Sequence, residues 1–177
     1  RFLTASDDAS VWIEAFLGLE KSGWKGRSGT ALAAQEREAQ YFRLMAGEAA
    51  RLGRLEMLGL FLDGTPVALK CNFTGGRTQF SFKIAFDESY RPFSPGVLLE
   101  LEHIEAFDCN DALDHADSCA IPGHPMIGRL WHGRRAIGHL LISTGSRRGT
   151  LALGAISALR ALKRSLQRTG ASTRSSS

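Results

Sequence analysis

The segment from Arg77 to Leu99 holds the residues whose types and spacing best suit chemistry. A strand-like run, Phe80 to Phe86, feeds a turn, Asp87 to Phe93, and the turn opens a helix at Ser94, Pro95, Gly96, Val97 and Leu98. Ser94 is the residue type that caps a helix with its side chain, Pro95 suits a first helical position whose N–H would go unpaired anyway, and Gly96 lets another molecule approach the backbone. The first amides of a helix lack intrahelical partners and lie at the positive end of its dipole, so a phosphate can be held there. Two charged side chains extend the candidate site. Lys83 could reach a carboxylate or a phosphate; the alternative is a lysine on the polar side of a half-covered sheet. Asp117, at the start of a later strand, could take a proton from an amine, or it could be a strand-end carboxylate that binds nearby amides.

The elements that position these residues follow from hydrophobic periodicity. Asp7 to Lys21 reads as an amphipathic helix with Val11, Trp12, Ala15, Phe16 and Leu19 on its inner face. A loop with Gly23, Gly26 and Gly29 ends it, and a second helix runs from Thr30 to Leu52 with Ala34, Tyr41, Met45, Ala49 and Leu52 as its inward stripe. Leu55 to Leu62 is apolar nearly throughout, as in a strand covered on both faces, and Asp63-Gly64 is a tight hairpin turn. Val67, Leu69, Cys71 and Phe73 then alternate with Ala68, Lys70, Asn72 and Thr74, and after Gly75-Gly76 a third strand places Phe80, Phe82, Ile84 and Phe86 on one face with Lys83 on the other. The result is a three-stranded antiparallel meander. Beyond the helix from Pro95 to Phe107, a strand from His115 to Ile121 returns by a helical crossover and therefore lies parallel to an earlier one. Pro122 to Trp131 reads as a loop or short helix, Arg135 to Ser143 as a further strand and Gly149 to Gln167 as a closing amphipathic helix. The fold class is α/β (α+β), with a mixed, mostly antiparallel sheet flanked by helices.

Composition narrows the function classes. At 177 residues, 44% hydrophobic and 23% charged, the chain suits one globular domain, residues 1–168, with a flexible tail at 169–177. No apolar run approaches the roughly 20 residues that cross a bilayer, and the start at Arg1 has neither a signal-peptide core nor an initiator Met, which reads as a piece of something longer. Cys71, Cys109 and Cys119 form no disulfide framework, so the expectation is a reducing, cytoplasmic setting. The net charge of +4 is modest, and Arg147, Arg148, Arg160, Lys163, Arg164 and Arg168 accumulate near the end without any nucleic-acid recognition motif. Cys109, His115, Cys119 and His124 have ligand side chains but not the spacing of a zinc site, so no metal is expected. No Gly-x-Ser-x-Gly elbow supports a serine hydrolase.

The residues Gly23-Trp24-Lys25-Gly26 with Gly29-Thr30-Ala31, then Lys83 to Glu88, then Tyr90 with Ser94-Pro95-Gly96, resemble the acetyltransferase domain of the CelD/BcsL group within the GNAT superfamily, related to the FemAB-type enzymes. The element order agrees, with Phe2 to Thr4 as the remnant of the first strand. The resemblance implies a GNAT fold in which two strands, here Arg77 to Phe86 and His115 to Ile121, splay apart around the arm of acetyl-CoA or another acyl-CoA. It puts the diphosphate on the amides of Gly96, Val97 and Leu98, with Tyr90, Ser94 and Pro95 shaping the loop. The usual GNAT phosphate loop, Gln or Arg followed by spaced glycines, is absent ahead of this helix. By the same resemblance Lys83 and Asp117 are the catalytic candidates, while Trp24, Lys25 and His124 border the acceptor. Trp24 is equally a core plug, and His124 equally a helix-start histidine. The implied reaction is transfer of an acyl group to an amine on a small molecule or saccharide, linked to cellulose or other polysaccharide production. Two alternatives stay open: a binding or assembly module without catalysis, and a FemAB-like transferase using aminoacyl-tRNA, in which this chain is the C-terminal half of a pair of GNAT-like domains.

Overall fold

The computed structural model describes residues 1–23, 32–138, 140, 142, 145–146 and 148–159. The chain divides into two compact units, Arg1–His132 and Gly133–Ser177. In the first, α1 (Ala9–Ser22) and α2 (Glu36–Arg51) precede three strands, β1 (Leu55–Leu62), β2 (Thr65–Gly75) and β3 (Thr78–Phe86). A 3₁₀ turn at Glu88–Phe93 leads into α3 (Pro95–Asp108), followed by the short strand β4 (His115–Asp117) and the single-turn helix α4 (Ile127–Leu130). The sheet order is β1-β2-β3-β4, antiparallel except for the parallel β3–β4 pair, as the crossover through α3 requires. Phe2 bridges Leu58 in antiparallel fashion, and the Leu3 N–H donates to the Met57 carbonyl at 2.8 Å, so the first residues do line the outer edge of β1. In the second unit residues 148–159 are helical, and the described residues between 133 and 146 form no strand, unlike the strand expected from Arg135 to Ser143. The glycine loop at 24–31 and the basic stretch from 160 onward lie outside the described residues.

Helices cover the sheet on both faces. Against one face, Phe16 and Phe42 from α1 and α2 meet Met57, Leu69, Cys71 and Ala85. Against the other, Leu99 of α3 meets Leu58 and Ala68, with Ile84 and Phe86 alongside. The helix faces differ from the expected stripes by about one residue. In α1, Ile13 and Leu17 are buried with Trp12 and Phe16, while Val11 is exposed. In α2 the stripe is Ala39, Phe42 and Ala46; Phe42 is 1% exposed and Tyr41 68%. Tyr41 and Leu52 therefore face outward. The expected helix start at Thr30 is also late in the structure, where a 3₁₀ turn at Leu32–Ala34 precedes α2.

Turn chemistry fixes the strand register. Asp63 (φ 49°) and Gly64 (φ 78°) both adopt left-handed backbone in a two-residue turn, which pairs Leu62 with Thr65. Within β3 the alternation slips. Cys71 pairs with Lys83 but Asn72 pairs with Ser81, so Phe82 is the extra residue of a β-bulge. Phe82 stacks on Phe42 with ring centroids 5.7 Å apart, and Lys83 bonds Glu20 of α1, so both point toward the α1/α2 face. Ile84 and Phe86 turn to the α3 face. The expected single face of Phe80, Phe82, Ile84 and Phe86, with Lys83 opposite, is thus broken at the bulge. Phe42→Ala should lower the unfolding free energy by about 3–5 kcal/mol in urea titrations, whereas Tyr41→Ala should change it by less than about 0.5 kcal/mol.

Candidate active site

β3 and β4 pair over only three positions, Thr78 with His115, Gln79 with Ala116 and Phe80 with Asp117. The reason is local. The Asp117 carboxylate accepts the Cys119 N–H at 2.8 Å, and Cys119 takes a left-handed backbone (φ 51°), so the chain turns out of the sheet as soon as the third pair is made. Asp117 therefore ends β4 rather than starting a strand to Ile121, and its turn-forming role is present in the structure. From Ser81 to Phe86, β3 runs on past the end of β4 with its β2 side paired and its other side beyond the reach of that ladder.

The open stretch of β3 leads to the start of α3. Asp87 accepts the Ser89 N–H at 2.9 Å and organises the 3₁₀ turn, within which the Tyr90 N–H donates to the Asp87 carbonyl at 3.0 Å. Ser94 departs from the expected capping role: it is left-handed (φ 52°), and its side chain makes no cap bond. Its carbonyl instead accepts both the Val97 N–H at 2.9 Å and the Leu98 N–H at 3.2 Å. With Pro95 at the first position, the Gly96 N–H makes no backbone hydrogen bond among the described residues. Gly96 is buried, and a Cβ there would lie 3.6 Å from Ile84 and 3.9 Å from Phe86. Both distances are ordinary van der Waals contacts, so the Cβ direction of Gly96 faces β3 and not an approaching molecule.

On the α1 side, Leu19, Glu20, Gly23, Ile84, Ala85, Phe86 and Glu88 line a shallow depression beside the end of β3. The buried Glu20 carboxylate accepts from Lys83 Nζ at 2.7 Å and from the Leu32 N–H at 2.8 Å. Lys83 is consequently one half of an ion pair and not a lone cation on a polar sheet face. His124 follows β4, and its Nδ1 accepts the Ile127 N–H at 3.3 Å, the helix-start arrangement that the sequence allowed. Trp24 and Lys25 lie outside the described residues. The structure therefore brings Lys83, the end of β3 and the α3 start to one edge of the sheet, and sets Asp117 at the point where the strands part.

Sequence reasoning missed a buried polar network beneath α3. Lys70 Nζ donates to Glu100 Oε2 at 2.6 Å and lies 2.8 Å from His103 Nδ1. An ammonium only donates, so Nδ1 is the acceptor, and Nε2 carries the proton that His103 gives to Gln79 Oε1. Trp131 Nε1 completes the set by donating to Glu100 Oε1 at 2.7 Å. Lys70, Glu100 and His103 are each 1% exposed. Burial pushes the Glu100 carboxyl up, but His103, Lys70 and Trp131 around it outweigh that and hold it at about 2. Burial also pulls the Lys70 ammonium below the ordinary lysine range, with Glu100 opposing. The missed signal was the pair Glu100 and His103, three apart on a helix that exposes Leu98 and Leu101.

Among known proteins, the family described as "Acetyltransferase (GNAT) domain" matches residues 1–117. No curated protein matches the chain. Solved structures share its fold. An aminoglycoside acetyltransferase from an uncultured soil metagenomic sample, in complex with sisomicin, is 8% identical with a TM-score of 0.57, covering 81% of this chain and 93% of that one. The aminoglycoside N-acetyltransferase AAC(6')-Iy with a CoA-linked bisubstrate analogue is 15% identical with a TM-score of 0.51, covering 79% and 95%. The aminoglycoside antibiotic 6'-N-acetyltransferase of Acinetobacter haemolyticus is 14% identical with a TM-score of 0.51, covering 82% and 99%.

Because the Glu100 carboxyl lies below its unfolded value, its contribution is complete above about pH 4.5 and is lost as pH falls toward 2, about 3 kcal/mol in all. Glu100→Gln strands the Lys70 ammonium and should cost about 3–5 kcal/mol near neutral pH, with a visibly shallower loss of stability on acidification in denaturant titrations across pH.

Proposed function

Since the chain belongs to the GNAT acetyltransferase family, we propose that its cleft between β3 and β4 takes the arm of an acyl-CoA and delivers the acyl group to an amine acceptor. The observation that carries this reading is the end of the β3–β4 ladder after three pairs, with β3 running on beyond it toward the start of α3. An extended arm carrying amide groups can pair beside the part of β3 that runs beyond β4, as a strand would. The diphosphate then meets the Gly96 N–H at the positive end of α3, whose first turn carries no acidic side chain. Arg91 is exposed one turn ahead of it and adds a positive charge.

In the reaction the amine nitrogen attacks the thioester carbon, the C–S bond breaks, and the thiolate leaves to be protonated as free CoA. The bulge at Phe82 and Lys83 interrupts the ladder beside the cleft, and its backbone amides are the donors proposed for the developing oxyanion. An amine must be neutral to attack. Glu88 lines the depression and favours docking of its ammonium form, while the Lys83 charge at the same edge favours loss of the proton. Asp117 acts through the turn that opens the cleft. CoA is the co-substrate in this reading, and among the described residues no group of three or more His, Cys, Asp or Glu side chains could hold a metal.

The acceptor class extends the same reading. A small-molecule or saccharide amine as acceptor, and membership of the CelD/BcsL group with its polysaccharide link, rest on the motifs at Lys83 to Glu88 and Tyr90 to Gly96. Among the described residues no helix is long and apolar enough to cross a membrane.

Isothermal titration with acetyl-CoA should give saturable binding competed by free CoA. Arg91→Glu should weaken that binding about tenfold at low salt and less at high salt, as expected for a charge within a Debye length of a diphosphate. Clean absence of heat in a folded sample would remove the proposal. Once an acceptor is found by mass spectrometry of acetylated amines, Lys83→Met should move the acid limb of the kcat profile, which reports the bound amine, to higher pH.

A further inference from the structure

The acidic and basic residues of the chain are segregated. All 18 Asp and Glu lie at or before Asp117, whereas residues 133–177 carry nine Lys and Arg and no Asp or Glu. Residues 1–132 hold 13 Lys and Arg against those 18 acids, so the first unit is net negative and the second strongly positive. Such an asymmetry favours an anionic partner for the basic end.

The second unit also exposes its large apolar side chains. Ile137, Leu140 and Ile142 are exposed, as are Leu151, Ile156 and Leu159 of the helix at 148–159, with Leu151 at 75% and Leu159 at 66%. On that helix Leu151, Ala155 and Leu159 are spaced by four and Ala152 and Ile156 form the adjoining row, so these apolar residues share one side. Thr150, Gly154 and Ser157 occupy the other, with the half-buried Leu153 at its margin. Arg148 begins the helix, and Arg160, Lys163 and Arg164 follow it in the sequence. An anionic lipid surface suits both properties at once, because headgroup phosphates attract the cations and the acyl boundary takes the apolar side. Nucleic acid would suit only the charge, since residues 133–177 include no Phe, Tyr or Trp on which a base could stack. Among the described residues no helix is long and apolar enough to cross a membrane, so the contact is one along the surface.

We propose that the second unit docks on an anionic membrane surface, with the 148–159 helix lying along it, Leu151, Ile156 and Leu159 in the acyl boundary, and Arg148 and the cations after residue 159 on headgroup phosphates. Long basic side chains reach the phosphates while their stems stay with the apolar side. None of these residues belongs to the proposed acyl-CoA site, so either reading can fail without the other.

Flotation of the full chain with lipid vesicles tests this. The chain should rise with phosphatidylcholine vesicles containing about one third phosphatidylglycerol and stay behind with phosphatidylcholine alone. Arg148→Glu with Arg160→Glu should weaken vesicle binding about tenfold at low salt and less at high salt. Leu151→Gln with Leu159→Gln keeps every charge and should also weaken it about tenfold, through lost apolar burial, with the circular dichroism of wild type. Leu151→Ala with Leu159→Ala, of higher helix propensity, gives the same comparison should the glutamine pair disturb the helix. On vesicles the amides of 148–159 should gain protection from hydrogen exchange. Absence of flotation with the anionic vesicles at low salt, equal flotation with both vesicle types, undiminished binding by the arginine or the leucine variants, unchanged exchange in 148–159, or tighter binding to a single-stranded RNA than to the vesicles each overturns the proposal.

Discussion

Three residue pairs join β3 to β4, and the functional surface depends on the pairing stopping there. Continued pairing in the same register would cover β3 from Ser81 onward and leave the start of α3 facing a finished sheet. What stops the ladder is a single carboxylate turned back on its own chain, Asp117 to the Cys119 amide, which makes continued extension impossible. Sheet edges are normally blunted or covered. Here β3 outruns β4, between a bulge on one side and a helix start on the other, and that arrangement suits a ligand able to pair like a strand.

The second constraint lies under α3. A buried ion pair is weak support for stability in general, because desolvation offsets most of the attraction, but once formed it is costly to break. Lys70 and Glu100 meet at 2.6 Å where an apolar pair would also have filled the space. The charged choice brings directionality: Glu100 has two oxygens, and each addresses a different element. Together with the His103–Gln79 bond, it holds the helix in one position on the sheet, whereas the neighbouring apolar contacts of Leu99 with Leu58 and Ala68 would tolerate sliding. The orientation of the helix start at Gly96 follows from that fixed placement.

Much of this was legible in the residues. Apolar alternation and turn chemistry marked β1, β2 and the Asp63-Gly64 hairpin, and Pro95 marked the start of α3, because each reports local conformation. The family motifs led to the same sheet edge. The failures have a common cause in long-range contact. Nothing local in Phe80 to Phe86 reveals that Phe82 is surplus, since the slip is relative to β2 and is fixed by Phe82 stacking on Phe42, 40 residues earlier. The alternation in β2 does not reveal that Lys70 is buried, because its cover, α3, arrives later in the chain and brings the polar partners Glu100 and His103. In α1 and α2 the apolar residues spread widely enough around the helix that several stripes fit, and only contact between the two helices selects Ile13 over Val11 and Phe42 over Tyr41.

The central claim is that an acyl-CoA lies along the open run of β3 with its diphosphate at the start of α3. Amide chemical shifts followed during titration with CoA test it most directly. The account predicts concentration-dependent shifts of the Ser81 to Phe86 and Gly96 amides, with β1 and the outer face of α2 unmoved. Shifts confined to other parts of the sheet, or none at saturating CoA, would contradict it.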